Sequence, residues 1–532
     1  MTGMKLLYQK LTNVFRTEPL FLVLLPLFFM YSGYNELFGF LSFKFLVFNL
    51  LIILISTLLV LTLTYWLFRN ISKAAVATFL ISLYFLVFGF LHDSLKQLNT
   101  TAYLTKFTFL LPISILLVVL FLIYLWKRKS GFSELYLFLN MLFIILILSE
   151  IPNSIKRYRL DQSVHNLIDF RFRSYNEFNP VKNLPDLSKP DIYFLVFDAL
   201  ASSKSLQKEL GKNNFQLDSF LIQQGFYVAA NARANYNWTI HSLSSTLNMD
   251  YLPNWIAPVM NDPKAYFWGS ASILNNSLFS ILKKEGYQTH SYQPVSFANP
   301  DWPGVSYFNS LKENHYYYKT LPGRIYRDVF WNYSKINVPF IKEKQMQIID
   351  FRNQEKKIFF DTTKSLIKQS CSETGKPKFI YGHFMLPHEP YTFDSTGNIK
   401  SAEQTIVKRK EDNAQAYFNQ VIYAGKVIRE LVNYIKQYNK KNTIIIIEGD
   451  HGYKTPDGEK SGYTFQNMNA IYFPDQQYNL LYDSLSPVNT FRIVLNKYFD
   501  AKFDMLKDSS TLVTQQNETI RKKEKITKMK NP

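Results

Sequence analysis

The chain has 532 residues and a formal net charge of +19, and 47% of its residues are hydrophobic. This length allows more than one domain, and the single cysteine, Cys371, excludes an intramolecular disulfide framework. The basic charge would also suit nucleic acid. Long apolar runs in the first part of the chain favour contact with anionic lipid headgroups instead, so we predict no nucleic-acid partner.

Five long apolar runs occupy the first part of the chain. They lie at about 19–35, 43–67, 75–92, 105–126 and 134–151. Each run approaches or exceeds the ~18–20 residues that a helix needs to cross ~30 Å of hydrocarbon. The first run is not a cleavable signal peptide in this interpretation, because four more runs follow it. We therefore predict an α-helical membrane domain of five spans at residues 1–151.

Basic residues near the ends of these runs predict the orientation. One side of the membrane receives only Lys44, Lys96 and Lys106. The other side receives Lys5, Lys10, Arg16, Arg69, Lys73, Lys127, Arg128 and Lys129. Because the more basic side is cytoplasmic, the chain from about residue 152 should lie outside the cytoplasm. The predicted location is a bacterial-type inner or plasma membrane.

Three segments follow the membrane domain. Residues 152–190 are basic and contain prolines near their end, which predicts a juxtamembrane linker, either a spacer or a helix lying on the headgroups. Residues 191–505 are long enough for one large extracytoplasmic domain. Residues 506–532 form a predicted basic C-terminal tail. The stretch from about 300 to 345 is rich in aromatic residues and asparagine, and its pattern assigns no structure.

Strand-like and helix-like segments alternate from residue 192 onward. Predicted strands lie at Ile192–Phe197, Phe226–Ala229, Gln288–Tyr292, Lys378–Phe384, Thr443–Ile447 and Asn469–Phe473. Predicted helices lie at Leu206–Gln224, Ser277–Lys284, Glu403–Tyr438 and Val488–Phe499. This alternation predicts an α/β domain with a mostly parallel sheet between helices.

The run of four isoleucines at 444–447 leads into the most informative motif. Asp450, His451 and Gly452 follow it, at the end of a strand that should be buried on both faces. Chemistry in such sheets sits beyond the carboxyl ends of the strands. A carboxylate beside an imidazole suits a zinc- or manganese-like ion. In isolation, however, an Asp-His pair in a loop is more commonly a hydrogen-bonded turn.

Other segments carry residue types that could complete one site. Asp198 ends the first predicted strand, either as a solvated strand end or as a metal ligand. Thr239 stands at a predicted helix start, either as an N-cap or as a nucleophile that the helix N-terminus favours. His383 and His388 flank a proline-rich strand end. They are either structural histidines or groups that bind phosphate and transfer protons.

In this order, Asp198, Thr239, the segment Pro387–Tyr391 and Asp450-His451-Gly452 resemble the sulfatase-like branch of the alkaline phosphatase superfamily. The resemblance covers roughly residues 190–500. It implies that Asp198, Thr239, Asp450 and His451 hold a divalent metal ion and that Thr239 is the nucleophile. It also implies a headgroup-binding role for His290, at the end of a predicted strand.

Departures from that family's pattern narrow the chemistry. A sulfatase has Cys or Ser as its nucleophile, in a motif with Pro and Arg, whereas Thr239 is followed by neither within Ile240–Leu243. Ala199 also replaces the usual second Asp of the first strand end. A threonine nucleophile behind five spans is similar to lipoteichoic acid synthase and the phosphoethanolamine transferases. Those enzymes move a phosphorylated headgroup from a membrane phospholipid to a glycan or lipid outside the cytoplasm.

The sequence therefore predicts a metal-dependent transferase that uses a phosphothreonine intermediate. Its cofactor would be one divalent ion, with zinc or manganese favoured over magnesium or calcium. His388 would transfer a proton, and His383, His388 and His290 would contact substrate. Two alternatives stay open at this point: a hydrolase of the same fold (phosphodiesterase, phosphatase or sulfatase), and an inactive membrane sensor.

Overall fold

The computed structural model describes residues 2–36, 41, 43–97, 104–129, 131–176, 189–252, 269, 272–273, 276–292, 316–329, 339–406, 410–439, 441–454 and 462–513. The chain divides into two compact units. The N-terminal unit comprises Met1–Asn166 and Asn309–Val338. The α/β unit comprises Leu167–Phe308 and Pro339–Pro532.

Up to residue 176, the described part of the chain forms six helices. They are α1 (Thr2–Thr17), α2 (Phe21–Glu36), α3 (Phe43–Phe68), α4 (Ile71–Gln97), α5 (Phe107–Lys127) and α6 (Ser133–Asn176). Among the described residues, four segments are long and apolar enough to cross a membrane: Phe43–Phe68, Ile71–Lys96, Phe107–Lys127 and Ser133–Ile155. A fifth follows if Gln9–Thr17 and Phe21–Asn35, which are bent by 89° relative to each other, make one span. The predicted N-terminal helical region is confirmed, with four to five apolar helices in the described residues.

The helices of the N-terminal unit have a packed interior and an apolar outer surface. Phe21 meets Tyr136 edge to face, with ring centroids 5.1 Å apart. The hydroxyls of Thr64 and Thr78 share a hydrogen bond of 2.8 Å between α3 and α4. On the outside of α3, Leu63 is 69% exposed. Exposed apolar side chains along a helix of this length suit a lipid environment.

Part of the aromatic stretch that the sequence left unassigned belongs to the N-terminal unit. Residues 316–329 include a helical turn, Leu321–Arg324, and a π-helix, Ile325–Val329. The Tyr316 hydroxyl donates to the carbonyl of Phe29 at 3.1 Å, and Arg324 forms an ion pair with Asp93. A Cβ on Gly89 would lie 2.4 Å from the Lys319 carbonyl oxygen, so glycine permits this close approach.

The α/β unit contains one six-stranded sheet. Its strands are β1 (Asp191–Phe197), β2 (Tyr227–Val228), β3 (Gln288–Tyr292), β4 (Lys378–Phe384), β5 (Thr443–Gly449) and β6 (Asn469–Tyr472). Its helices are α7 (Ser203–Leu210), α8 (Phe215–Gln223), α9 (Thr239–Asn248), α10 (Ser277–Lys284), α11 (Pro339–Ser370), α12 (Ala402–Thr405), α13 (Lys410–Tyr438) and α14 (Pro487–Phe499). The strand order is β2-β6-β5-β1-β4-β3. β1, β3, β4 and β5 are mutually parallel, and β6 is antiparallel to β5 and to β2. The predicted α/β fold with a mostly parallel sheet is confirmed.

The centre of the sheet is its best-buried part. Every residue of β1, β4 and β5 is buried, as the run of isoleucines predicts. Leu195 and Ile447 point into a core shared with Val421, Ile428 and other side chains of α13. A rigid, fully covered sheet centre fixes the positions of residues that follow these strands.

Several boundaries differ from the sequence prediction. The helix predicted at Leu206–Gln224 is two helices, α7 and α8, because Gly211 adopts a left-handed conformation (φ 63°) that ends α7. The predicted linker, 152–190, begins inside α6, which continues to Asn176, and residues 177–188 lie outside the described residues. The predicted tail, 506–532, begins with residues that are fixed to the α/β unit, since Val513 is fully buried. Residues 514–532 lie outside the described residues.

Candidate active site

The carboxyl ends of β4, β1 and β5 lie side by side and carry the polar groups that the sequence singled out. Phe197 of β1 is level with Phe384 of β4 and with Gly449 of β5. Asp198 and Asp450 therefore each follow a strand end at the same edge of the sheet. Neighbouring strands are only about 4.8 Å apart, so this register brings the two carboxylates together.

Asp198, Asp450 and His451 form a compact group of possible metal ligands. One ligand atom of each lies within 4.8 Å of the other two. His451 Nε2 is 3.6 Å from Asp198 Oδ1 and 3.7 Å from Asp450 Oδ2. All three side chains are buried.

Backbone hydrogen bonds orient these three side chains toward one another. Asp450 Oδ1 accepts the N–H groups of Ala199 at 2.9 Å and His451 at 3.0 Å. His451 Nδ1 donates to the carbonyl of Gly452 at 2.8 Å, which leaves Nε2 with a lone pair. The atoms that remain, Asp198 Oδ1, Asp450 Oδ2 and His451 Nε2, are buried and have no hydrogen-bond partner among the described residues. Buried polar atoms of this kind fit a divalent cation.

The charges around Asp198 favour its ionised form, which is the form that binds a metal ion. Burial by itself would raise the pKa of the Asp198 carboxyl, but the imidazoles of His388, His383 and His451 outweigh it and hold that pKa low. Burial lowers the pKa of His451, which favours the neutral imidazole, although Asp450 acts in the opposite direction. An ionised carboxylate beside a neutral imidazole is the combination that binds a transition metal.

Thr239 is the first residue of α9, as the sequence predicts, and its residue surface is half-buried. The N-cap is Trp238, so Thr239 itself does not cap the helix. In the same turn, the hydroxyl of Ser242 donates to the carbonyl of Asp450 at 2.5 Å. The first turn of α9 therefore packs directly against the segment that carries two of the possible ligands.

His388 reaches the same place from the end of β4. The backbone N–H of His388 donates to the carbonyl of Asp198 at 3.1 Å, and the centroid of its ring is 6.4 Å from that of the His451 ring. Its Nδ1 donates to the carbonyl of Glu389, so Nε2 is the nitrogen available to a substrate. His388 is half-buried, which allows such contact.

Lys356 of α11 belongs to the site although no sequence pattern indicated it. Its ammonium donates to the carbonyls of His388 at 3.2 Å and Pro390 at 3.0 Å and so fixes the loop that carries His388. Burial lowers the pKa of Lys356 to about 8, with Asp198 and Glu389 acting against it. No local motif surrounds this lysine in the sequence, because only the packing of α11 brings it to the sheet edge.

The other two predicted histidines have different surroundings. His383 is buried, with Nε2 3.7 Å from Asp198 Oδ2 and Nδ1 hydrogen-bonded to the Tyr381 hydroxyl at 2.8 Å. This position favours orienting Asp198 over contacting substrate. His290 is level with Ile380 in the middle of β4 and faces Glu373 at 3.6 Å. The structure therefore does not bring His290 to the group at the strand ends.

Comparison with known proteins identifies the fold. The sulfatase family model matches residues 194–491, more than half of the chain. No curated protein sequence matches the chain. Among solved structures, the C-terminal periplasmic domain of EcEptC from Escherichia coli is 12% identical (63% of this chain, 94% of that chain, TM-score 0.38), and its zinc complex is 13% identical (60%, 86%, 0.36).

A structure of an integral membrane protein is also similar. Lipooligosaccharide phosphoethanolamine transferase A (EptA) from Neisseria meningitidis is 13% identical, over 91% of this chain and 95% of that chain, with a TM-score of 0.35. The family match covers the strand ends, α9 and the Asp450-His451 segment. The chain therefore belongs to the sulfatase family and is an enzyme of that sulfatase-like kind.

Proposed function

We propose that this protein is a membrane-anchored, metal-dependent transferase. It moves a phosphorylated headgroup, of the phosphoethanolamine or phosphoglycerol type, from a phospholipid to an envelope glycan or lipid. The observation that carries the proposal is the buried group Asp198, Asp450 and His451, whose segment is hydrogen-bonded at the Asp450 carbonyl to the first turn of the helix that Thr239 begins. The membrane-length helices of the same chain favour a lipid donor over a soluble one.

The ligand types suggest which ion would bind. Asp198, Asp450 and His451 offer two carboxylate oxygens and one imidazole nitrogen, and the hydroxyl of Thr239 is the proposed fourth ligand. This set suits zinc or manganese better than magnesium or calcium, which prefer oxygen ligands alone. A divalent ion held there would polarise the phosphodiester and lower the pKa of the Thr239 hydroxyl.

The reaction consists of two displacements at phosphorus. Thr239 Oγ, having lost its proton to solvent before the step, forms a bond to phosphorus, and the bond from phosphorus to the diacylglycerol oxygen breaks. His388 Nε2 gives a proton to that leaving oxygen. In the second step the acceptor hydroxyl loses its proton to His388 and attacks phosphorus, the bond to Thr239 breaks, and Thr239 Oγ leaves deprotonated, as it began. Donor, acceptor and enzyme are all balanced after one cycle.

The N-terminus of α9 and the histidine loop contribute positioning. Peptide N–H groups at the start of a helix stabilise the negative charge of a phosphoryl group attached to Thr239. Lys356 fixes the loop of His388, so that its imidazole is held in place before substrate binds. Preorganisation of this kind is how phosphoryl-transfer enzymes gain most of their rate.

The residue at the nucleophile position argues against sulfate ester hydrolysis. Family sulfatases use Cys or Ser there, whereas this chain has Thr239. A phosphodiester hydrolase would use the same residues with water as acceptor, so product analysis distinguishes the two. The proposed site lies outside the cytoplasm, where the outer leaflet supplies the lipid donor.

The test uses full-length protein in vesicles that contain phosphatidylethanolamine or phosphatidylglycerol labelled in the headgroup. We expect diacylglycerol to form and the label to appear on an added lipid or glycan acceptor. Thr239→Ala should stop both, while Thr246→Ala, a matched change in the same helix, should not. Release of all label as a water-soluble phosphate monoester would instead identify a hydrolase. If diacylglycerol forms from neither phosphatidylethanolamine nor phosphatidylglycerol, the proposal is contradicted.

A further inference from the structure

The C-terminal strap, residues 507–513, runs alongside the segment that leads into Thr239. The Thr511 N–H donates to the carbonyl of Asn235 at 2.8 Å. Asn237 Oδ1 accepts the N–H of Val513 at 2.8 Å, and its Nδ2 donates to the Val513 carbonyl at 3.2 Å. Val513 and Asn237 are both buried. The strap lies beyond the family match, which ends at residue 491.

Trp238 links the strap to the site. Its indole N–H donates to the carbonyl of Val513 at 3.2 Å, and the ammonium of Lys454 lies 3.5 Å from the centre of its ring. Trp238 is also the N-cap residue of α9, directly before Thr239. Lys454 follows His451 by three residues, and its charge contributes to the lowered pKa of His451 after burial. The same tryptophan therefore contacts the strap, the nucleophile's helix and a cation.

We propose that the C-terminal strap and Trp238 together position Thr239 and the Lys454 ammonium, and that this ammonium binds a phosphoryl oxygen of the anionic substrate. The proposal rests on the transferase or hydrolase chemistry proposed above. The Val513 carbonyl accepts two hydrogen bonds, one each from Asn237 and Trp238, so it fixes the two residues before Thr239. Small displacements of a reacting group, of about 1 Å, reduce rates by about 100-fold.

A matched pair of asparagines separates positioning from general stability. Asn496 of α14 holds the chain at Phe503 with the same pair of bonds that Asn237 makes to Val513. Its Nδ2 donates to the Phe503 carbonyl at 2.7 Å, and its Oδ1 accepts the Phe503 N–H at 2.7 Å. Asn237→Ala and Asn496→Ala should lower the melting temperature by similar amounts. Only Asn237→Ala should lower kcat, by about tenfold or more.

Two further substitutions test the tryptophan and the lysine. Trp238→Phe keeps an aromatic ring under Lys454 but removes the N–H donor to Val513, so kcat should fall as in Asn237→Ala. Lys454→Gln should raise KM for the phospholipid about tenfold, and Lys454→Arg should restore most of it, because the positive charge is kept. Metal content should stay equal to wild type in all of these variants. Equal rates in Asn237→Ala and Asn496→Ala, or wild-type KM in Lys454→Gln, would overturn the proposal.

Amide hydrogen exchange supplies a readout that does not depend on turnover. In full-length protein, exchange at residues 234–240 should accelerate in Asn237→Ala and Trp238→Phe and stay at the wild-type rate in Asn496→Ala. If the wild-type protein turns over neither phospholipid, the proposed function is wrong. In that case hydrogen exchange alone decides whether the strap holds residues 234–240. Unchanged exchange at residues 234–240 in both Asn237→Ala and Trp238→Phe would refute the positioning role of the strap.

Discussion

Replacing Asp450 by Asn should abolish the proposed binding of a divalent metal ion while leaving the fold intact. Asp450 Oδ1 accepts N–H groups from Ala199 and His451, and an amide oxygen can accept the same two bonds. The second atom changes from Oδ2, which has no partner among the described residues, to an NH2 group that can only donate. Since a donor group cannot ligate a cation, metal affinity should fall by at least about 100-fold.

The size of the stability effect follows from linkage. A cation present at about 100 times its Kd stabilises the folded protein by about 2.7 kcal/mol. With an unfolding entropy near 2.1 cal/mol/K per residue, a domain of roughly 320 residues changes its melting temperature by about 4 °C. A chelator should therefore lower the melting temperature of wild type by about this amount. Asp450→Asn should show no such shift.

Scanning calorimetry of the purified full-length protein, with and without chelator, measures this difference directly, and elemental analysis gives the metal content. Asp475→Asn is a suitable control, because Asp475 is a more exposed carboxylate paired with Lys497 at 2.8 Å. That variant should keep both the metal and the chelator shift. Equal chelator responses in wild type and Asp450→Asn would refute the reasoning about this site.

Three other outcomes are expected. Thr239→Ala should reduce turnover more than about 1000-fold with little change in melting temperature, because Trp238 is the N-cap, and Thr239→Ser should retain part of the rate. Lys356 has a pKa of about 8 in the folded protein, below the value of a lysine in the unfolded chain. At pH values between these two pKa values, the unfolded chain therefore binds more protons at this residue than the folded protein does. Wild type should therefore gain stability from this group as pH rises from about 8 to about 10.4, and melting curves of Lys356→Met should lack that gain. A reporter fused after Lys129 should be cytoplasmic, and one fused after Pro190 should be exported; the reverse would exclude a lipid donor in the outer leaflet.

The strand ends were predictable because burial and register together place them. A short run of β-branched residues that soon meets glycine, such as Ile444–Ile447, predicts a covered strand, and parallel pairing brings the residues after each strand to one edge of the sheet. Asp198 and Asp450 are thus brought together although they are far apart in the sequence. The Asp450 carboxylate accepts the N–H of Ala199, the residue after Asp198, across 251 positions of sequence. The start of α9 at Thr239 was also predictable from local pattern, since Leu243 and Leu247 recur at helical spacing and are buried.

Residues whose roles depend on packing between distant elements could not be predicted. Lys356 lies on a long amphipathic helix, where lysine is ordinarily a solvated surface residue. Glu448 could have been noticed in the sequence, because it is a carboxyl group at the end of a strand of isoleucines. Burial, and to a smaller extent the charge of Asp450, raises the pKa of Glu448 well above its usual range. The position of His290 could not be predicted for a related reason, because the register of β3 on β4 sets its level and no sequence pattern specifies that register.

The proposed reaction passes through a covalent phosphothreonine at residue 239, which mass spectrometry of acid-quenched enzyme detects directly. Full-length protein is mixed with headgroup-labelled phospholipid and digested, and the tryptic peptide Ala234–Lys264 is fragmented. We expect the labelled phosphoryl headgroup on Thr239, and its loss after an acceptor is added. Continued turnover with no label on this peptide, or with the label on another residue, would contradict it and indicate direct attack by the acceptor or by water.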